Sequence, residues 1–387
     1  MIKKLLLVIA ALSLFIPVTA CAGKETIKIG CVLDLSGDLG AMGARMLEGG
    51  ELAIEEINAA GGLLGKQVEL IAEDGKTDPA TGLDRVKKLV EIDGVEVIAG
   101  PMITGSSKLA IPYLKDHEVP GITMSATNPL LDEVDGTEWF FRCCLMDDAQ
   151  GRVLADVVME KGYTRFASVV MDNDYGKGVR DALVEGLEEG GWQGEVVASV
   201  TYDETKKDYR TELGQIKDNN PDVVLIVSYC DDGIIVFKQA LEMGLDEIAW
   251  LGCDGNYGSG LFKEPKSGEF MEKAIVAGTR TVGFGAKYEQ FITDYTAKFG
   301  ETPEVYCDTT YDAVWAAAKA IAAAGSYDGA AIQAALTELK FDGASGPISF
   351  DEIGNRASGS FELWEVVRDA TTETGYKNAQ IKLVTLE

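Results

Sequence analysis

From about residue 27 onward, short apolar runs alternate with amphipathic stretches in a regular order. Ile27–Leu35 (IKIGCVLDL) is almost continuously apolar and β-rich, the pattern of a strand covered on both faces. Met46, Gly50, Ala53 and Ile57 then recur at helical spacing, which predicts a helix over 42–60 stopped by Gly61 and Gly62. Val68–Glu73 reads as a second strand. Asp78 followed by Pro79 is an N-cap and a first-turn proline, opening a helix that runs to Val90. Val95–Ala99 and Pro120–Met124 are two more β runs, with a helix from Ser106 to about Lys115 between them, and Glu138–Leu145 is another.

The pattern then restarts. Helices are predicted over 148–161, 175–189, 209–219 and 232–243, and strands over 165–171, 195–201, 222–229 and 247–253. Residues 274–281 lead to helices over 287–299, 308–324 and 330–339, and two closing strands over 361–367 and 380–386 complete the chain. Two successive β-α-β-α series imply an α/β protein of two parallel sheets with helices on both faces. At 387 residues the chain is long enough for about two domains. No low-complexity linker separates the halves, so the crossings between them are expected to be short.

Residues 1–20 are of another kind. Lys3 and Lys4 precede the apolar run Leu5–Ile16, and Val18-Thr19-Ala20 ends it. That is a secretory signal, outside the fold and too short for a comfortable membrane span. Cys21 follows, and V-T-A-C is similar to the lipobox of bacterial lipoproteins, which predicts lipidation at Cys21; Val18 and Ala20 also fit an ordinary signal peptidase.

A formal charge of −28 argues against a nucleic-acid partner. The seven cysteines include the adjacent Cys143 and Cys144, and neither a C-x-x-C nor a zinc spacing occurs. Cys31, Cys230, Cys253 and Cys307 read with them as small buried apolar residues. The single histidine, His117, sits in a charged turn and reads as a surface residue. Gly37, Gly40 and Gly43 follow a strand, but their G-x-x-G-x-x-G spacing is not that of a dinucleotide site. No cofactor or metal is expected, and no nucleophile, base and metal converge on an enzyme site.

What remains is a set of polar strand ends. In an open α/β sheet, ligands bind at the carboxyl ends of the strands. In the first half these ends are Ser36–Met42, Thr104–Ser107 and Ser125–Asn128, which are rich in hydroxyls. In the second half they are Asp172–Gly176, Tyr229–Asp232 and Asp254–Tyr257, which carry carboxylates and tyrosines. Each residue alone has an ordinary use, Ser and Thr as caps and Tyr as core or rim. Together they match a zwitterion with an apolar body: carboxylate to the hydroxyls, ammonium to an aspartate, body against the tyrosines.

The segments IKIGCVLDLSGDLGAMG, GGELAIEEINAAGGLLGKQVELIAED, VIAGPMITGSS, ITMSATNP, MDNDYGKG and TTYDAVWAAAKA carry a resemblance over essentially the whole mature chain. It resembles the type I periplasmic binding proteins of the Leu/Ile/Val-binding group. The resemblance implies two Rossmann-like lobes joined by a three-crossing hinge. The first would comprise residues 26–146 plus 280–355, the second 147–279 plus 356–387. It implies a small amino acid, aliphatic or branched-chain, clamped between the lobes. It also implies a monomer outside the cytoplasm, in the periplasm or tethered to the membrane through Cys21, that delivers its ligand to an ABC-type permease. By the same resemblance, Thr104 and the Ser125, Ala126, Thr127 loop hold the ligand's carboxylate and part of its ammonium, and Asp254 is the ammonium's acidic partner. Tyr175, Tyr229 and Tyr306 line its pocket. Met42 stands where some members have a tyrosine, and Asp254 where some have the longer glutamate, so the ligand's side chain stays open. The same fold as a sensor for another small carboxylate or amide is the alternative.

Overall fold

A computed structural model describes residues 26–386. Cys21 and the signal segment lie outside the described residues. The first sheet holds β1 (Ile27–Leu33), β2 (Val68–Asp74), β3 (Ile98–Ala99), β4 (Gly121–Thr123) and β5 (Phe140–Arg142) in the order 2-1-3-4-5, all parallel. Its connecting helices are α1 (Gly40–Ala59), α2 (Pro79–Lys88) and α3 (Thr104–Asp116). The helical face read from the sequence is the buried one: Met46, Gly50, Ala53 and Ile57 all face inward on α1. Asp78 caps α2, its carboxylate accepting Thr81 N–H at 2.7 Å.

The chain then passes to a second sheet. Its helices are α4 (Asp147–Glu160), α5 (Asp174–Glu189), α6 (Arg210–Asp218), α7 (Cys230–Glu242) and α8 (Pro265–Ala274). Its strands include β6 (Arg165–Met171), β7 (Glu195–Tyr202), β8 (Val223–Val227), β9 (Ala249–Gly252) and β10 (Ile275–Thr281), parallel in the order 7-6-8-9-10. The chain returns to the first lobe for α9 (Gly285–Phe299), α10 (Cys307–Ala324), α11 (Gly329–Thr337) and the hairpin β11 (Lys340–Gly343) with β12 (Gly346–Ser349). There α10 packs along α1 and over β3 and β4. A last passage leads to β13 (Gly359–Arg368) and β14 (Tyr376–Leu386), which join the second sheet beyond β10. The chain therefore runs between the two sheets after β5, after β10 and after β12.

The second sheet corrects one expectation, since it is mixed: β13 lies antiparallel to β10, and β14 antiparallel to β13. A loop as short as residues 369–375 can join only antiparallel neighbours; a parallel return needs a crossover of a dozen residues or more. The sequence pattern also passed over α8 and the β11–β12 hairpin. Glu264 followed by Pro265 was the available signal for α8, the glutamate being its N-cap.

The cysteines Cys31, Cys143, Cys144, Cys253 and Cys307 are buried and unpaired, and Cys230 is half-buried. His117 is exposed and stacks on Tyr113 with 3.9 Å between ring centroids. The glycines after β1 serve close packing. A Cβ on Gly43 would stand 2.0 Å from the Asp34 carbonyl oxygen, so only glycine lets α1 start against the end of β1.

Candidate functional site

In each sheet the strand order reverses at one point, between β1 and β3 in the first and between β6 and β8 in the second. Loops leaving the strands on either side of such a point diverge and open a crevice. The two crevices face each other here. One cavity is lined from the first lobe by Leu39, Met42, Met102, Ile103, Thr104, Ser125 and Tyr306, and from the second by Tyr175, Tyr229, Asp254 and Gly255. It holds about 30 Å³ and adjoins, at Met42 and Gly255, an outer chamber of about 1150 Å³.

The first-lobe wall is built to meet an anion. Helix α3 begins at Thr104 with no side-chain cap, so its first N–H groups are left for another acceptor. The helix dipole adds partial positive charge at the same place. Thr123 Oγ1 fixes the neighbouring loop by donating to Pro101 O at 2.7 Å and accepting Ala126 N–H at 3.1 Å. Ser125 Oγ donates to Met102 O at 2.8 Å. Of the three loop residues singled out above, only Ser125 lines the cavity. Ala126 packs in an apolar cluster with Val32, Ile98 and Leu131. Thr127 is buried, and its hydroxyl has no hydrogen-bond partner.

The second-lobe wall is built to meet a cation. Asp254 opens a short turn after β9, 4 % exposed. Asn256 secures that turn by accepting Cys253 N–H at 3.1 Å and donating to Ser228 Oγ at 2.6 Å. The Asp254 carboxylate accepts from Tyr175 Oη and Gln150 Nε2, each at 2.9 Å, and from Tyr306 Oη at 2.7 Å. Burial pushes its pKa up, while the three donors pull it down. Burial also raises the phenols of Tyr175, Tyr229 and Tyr306 well above their ordinary range, so all three keep their protons.

Tyr175 and Tyr229 stack with planes 8° apart and centroids 5.6 Å apart, a flat apolar side to the cavity. Tyr306 has φ of +64°, a left-handed conformation costly for a non-glycine residue. Thr310 and Thr309 hold it there by donating to its carbonyl at 2.7 and 3.1 Å. Gly255 must be small: a Cβ there would stand 2.5 Å from Ser228 O and 2.9 Å from Tyr175 Oη. Seven residues named from the sequence, Met42, Thr104, Ser125, Tyr175, Tyr229, Asp254 and Tyr306, thus line one cavity. Leu39 and Gly255 lie within strand ends named from the sequence without being singled out; sequence reasoning missed Met102 and Ile103, and also Gln150, which no strand-end argument reaches because it lies inside α4.

The lobes touch across the cleft. Besides the Tyr306–Asp254 bond, Lys108 pairs with Asp174 at 3.0 Å and Ser259 Oγ donates to Glu304 at 2.7 Å. Among the described residues no His, Cys, Asp or Glu cluster is placed to hold a metal, and no helix is long and apolar enough to cross a membrane.

Two α/β lobes, crossed by the chain three times and closing on a small cavity with an anion-facing and a cation-facing wall, define a two-lobe binding protein. A family model described as periplasmic binding protein matches residues 26–371. The chain belongs to that family, in its type I, branched-chain amino acid group. It is 27% identical over 348 residues to the leucine-, isoleucine-, valine-, threonine- and alanine-binding protein of Pseudomonas aeruginosa, covering 90% of this chain and 91% of that one. It is 26% identical over 342 residues to the Leu/Ile/Val-binding protein of Escherichia coli K12, covering 88% and 91%. Among solved structures it is similar to the branched-chain amino acid transporter substrate binding protein LivJ of Streptococcus pneumoniae in complex with isoleucine. The TM-score is 0.79 and the identity 27%, covering 92% of this chain and 100% of that one.

Proposed function

We propose that this chain is an exported solute-binding protein that captures an aliphatic α-amino acid between its lobes and delivers it to an ABC importer permease. The supporting observation is the pairing of opposite walls in one cavity. The uncapped start of α3 with Thr104 and Ser125 suits a carboxylate. Buried Asp254 suits an ammonium, because a desolvated carboxylate is stabilised by a cation. Met42, Leu39, Met102 and the tyrosine pair offer an apolar surface for the side chain. Ala126 and Thr127 act in this reading by shaping the loop behind Ser125. The lobes are taken as 26–146 plus 280–355 and 147–279 plus 356–387, and the protein works as a monomer. The relatives named above, two of them Leu/Ile/Val binders by name, support the ligand class.

Binding rather than turnover is the activity. Export follows from the signal segment, and V-T-A-C supports a lipid on Cys21 that holds the protein at the membrane. Mass spectrometry of the protein purified without denaturation tests the ligand, with an amino acid expected. A co-purified aromatic acid or sugar, and no binding of added aliphatic amino acids, would overturn the reading. Expressed with its signal, the protein should carry a lipid mass on Cys21; Cys21→Ser exported and processed like the parent would refute the anchor.

A further inference from the structure

Asp254 is not the only carboxylate behind the cavity. Asp147, the first residue of α4, is fully buried and was not singled out by the sequence. Gln150 joins the two acids: its Nε2 donates to Asp147 Oδ1 at 3.1 Å and to Asp254 Oδ1 at 2.9 Å. Its Oε1 accepts Asp254 N–H at 3.2 Å and Thr279 Oγ1 at 2.7 Å. Because a backbone N–H points at Oε1, the amide orientation is fixed, and every Gln150 donor and acceptor is used.

The acids are unequally served. Asp254 has two donors from its own lobe, Tyr175 and Gln150, and a third from Tyr306 when the lobes meet, and fits the charged form. Tyr175 Oη already accepts Gly255 N–H at 3.2 Å, which leaves its proton for Asp254. Asp147 has one donor, and its Oδ2 has no partner. The Thr127 hydroxyl approaches it and favours its charge, yet falls outside hydrogen-bond geometry. The remaining titratable groups around Asp147 are Arg142, Cys144, Tyr175, Cys253, Tyr306 and, further off, Arg356. The thiols and phenols are neutral through burial. Arg142 is committed to Ala126 O, Asn128 O and Asp132. Arg356 is committed to Cys143 O and the Ser345 region. Among the described residues no cation is bonded to either acid.

We infer that Asp147 is a proton-holding residue of the binding site, protonated in the empty protein and deprotonated when a ligand ammonium settles beside Asp254. The inference rests on the amino-acid reading above. Two bare carboxylates sharing one amide nitrogen, away from water, repel each other, so one keeps a proton. The less served acid, Asp147, is the holder, and its buried oxygen without a partner is the place for the proton. An ammonium arriving at Asp254 offsets that repulsion. The Asp147 O–H bond then breaks and the proton passes to water. At this wall the ammonium brings one positive charge and the pair gains one negative charge, so the local charge is unchanged, while the ligand's carboxylate is met by the opposite wall. The two Oδ1 atoms accept from one nitrogen, so they lie no more than about 6 Å apart. A unit charge at that distance, at an effective dielectric of about 20, moves a carboxyl by about two pH units. Burial and the Asp254 charge both raise Asp147, and the ammonium acts against the second of these.

The sign follows. Binding lowers the Asp147 pKa, so binding releases a proton and affinity rises with pH, by up to about tenfold per pH unit within the window. Calorimetry with leucine, repeated between about pH 5 and 9 in buffers of different ionisation enthalpy, should show proton release in the parent and none in Asp147→Asn. A binding heat independent of buffer at every pH, or release that persists in Asp147→Asn, would overturn the inference. A second arm needs no ligand. Infrared spectra of the empty parent at neutral pH should contain a protonated-carboxyl stretch that Asp147→Asn removes. Thr127→Val, which changes only the hydroxyl facing Asp147, should shift that stretch, so the assignment survives if Asp147→Asn does not fold. A spectrum that none of these substitutions alters would overturn the inference. If the stretch is assigned but no amino acid binds, the inferred proton stands and the amino-acid reading fails.

Discussion

Replacing Asp254 by asparagine isolates the charge at the site. The two hydrogen bonds accepted at Oδ1 can be kept, while the one at Oδ2 reverses its direction. The asparagine oxygen accepts from Tyr175 Oη and Gln150 Nε2 in place of Oδ1, and its amide donates to Tyr306 Oη in place of Oδ2. No cavity is created, and the Tyr306 hydroxyl is the one group that must turn its proton to another acceptor, so the fold should be kept at a modest cost in stability. What is lost is the partner of the ligand's ammonium. Removing one member of a buried, hydrogen-bonded charge pair costs about 2–5 kcal/mol. At about 1.4 kcal/mol per decade, affinity for an aliphatic amino acid should fall at least about thirtyfold. Isothermal calorimetry on parent and Asp254→Asn measures this directly, and circular dichroism melts confirm that both are folded. The mutant should also distinguish leucine from its deaminated analogue far less than the parent does. An affinity within about threefold of the parent, from a folded mutant, would refute the assignment of Asp254 to the ammonium.

Other predictions follow from the same geometry. Tyr306→Phe removes the hydroxyl that reaches across the cleft to Asp254; a hydrogen bond to a charged group contributes about 1.5 kcal/mol or more, so Kd should rise about tenfold or more by calorimetry. Thr104→Val removes one donor of several and should cost about 1 kcal/mol, about fivefold in Kd. Small-angle scattering should give a smaller radius of gyration with ligand than without, because Lys108–Asp174 and Ser259–Glu304 form only when the lobes meet; an unchanged radius at saturation counts against the clamp. Burial pushes Asp34 and Asp312 up to about 6 and Asp232 up to about 7. In the unfolded chain such groups titrate near about 4, so their contribution to stability is full below that pH and is lost as pH rises through 6 to 7. Carboxylates held low by hydrogen bonds, such as Asp74 and Asp222, act in the opposite sense only below about pH 4. The melting temperature should therefore be higher at about pH 5 than at pH 8, and the reverse order would contradict this account.

Strand ends were the legible part of the site. Parallel strands with apolar faces are recognisable as runs, and the residue types that follow them are the ones placed at the crevice. Thr104, Tyr175, Tyr229 and Asp254 were reachable that way. Which residue of a loop faces the cavity was not. Ser125, Ala126 and Thr127 are consecutive, yet one lines the cavity, one packs in the core and one faces Asp147. Their directions depend on Thr123 Oγ1 and on Arg142, whose contacts arise only in the folded chain. Gln150 and Asp147 sit one helical turn apart in α4 and meet Asp254 from more than 100 residues away, a closeness carried by the crossing after β5. The antiparallel β13 and β14 were hidden for a different reason. Their apolar pattern is that of any covered strand, and direction is set by the short loop between them.

The central claim is that the cleft reads both ends of a zwitterion at once. The direct measurement is calorimetric titration of the parent protein with leucine, with its deaminated analogue and with its decarboxylated analogue, under one set of conditions. Leucine should bind tightly and the two analogues weakly, each by at least about thirtyfold, because each leaves one wall of the cavity without its partner. Equal or tighter binding of the deaminated acid would show that Asp254 does not read an ammonium, and the amino-acid account would be wrong.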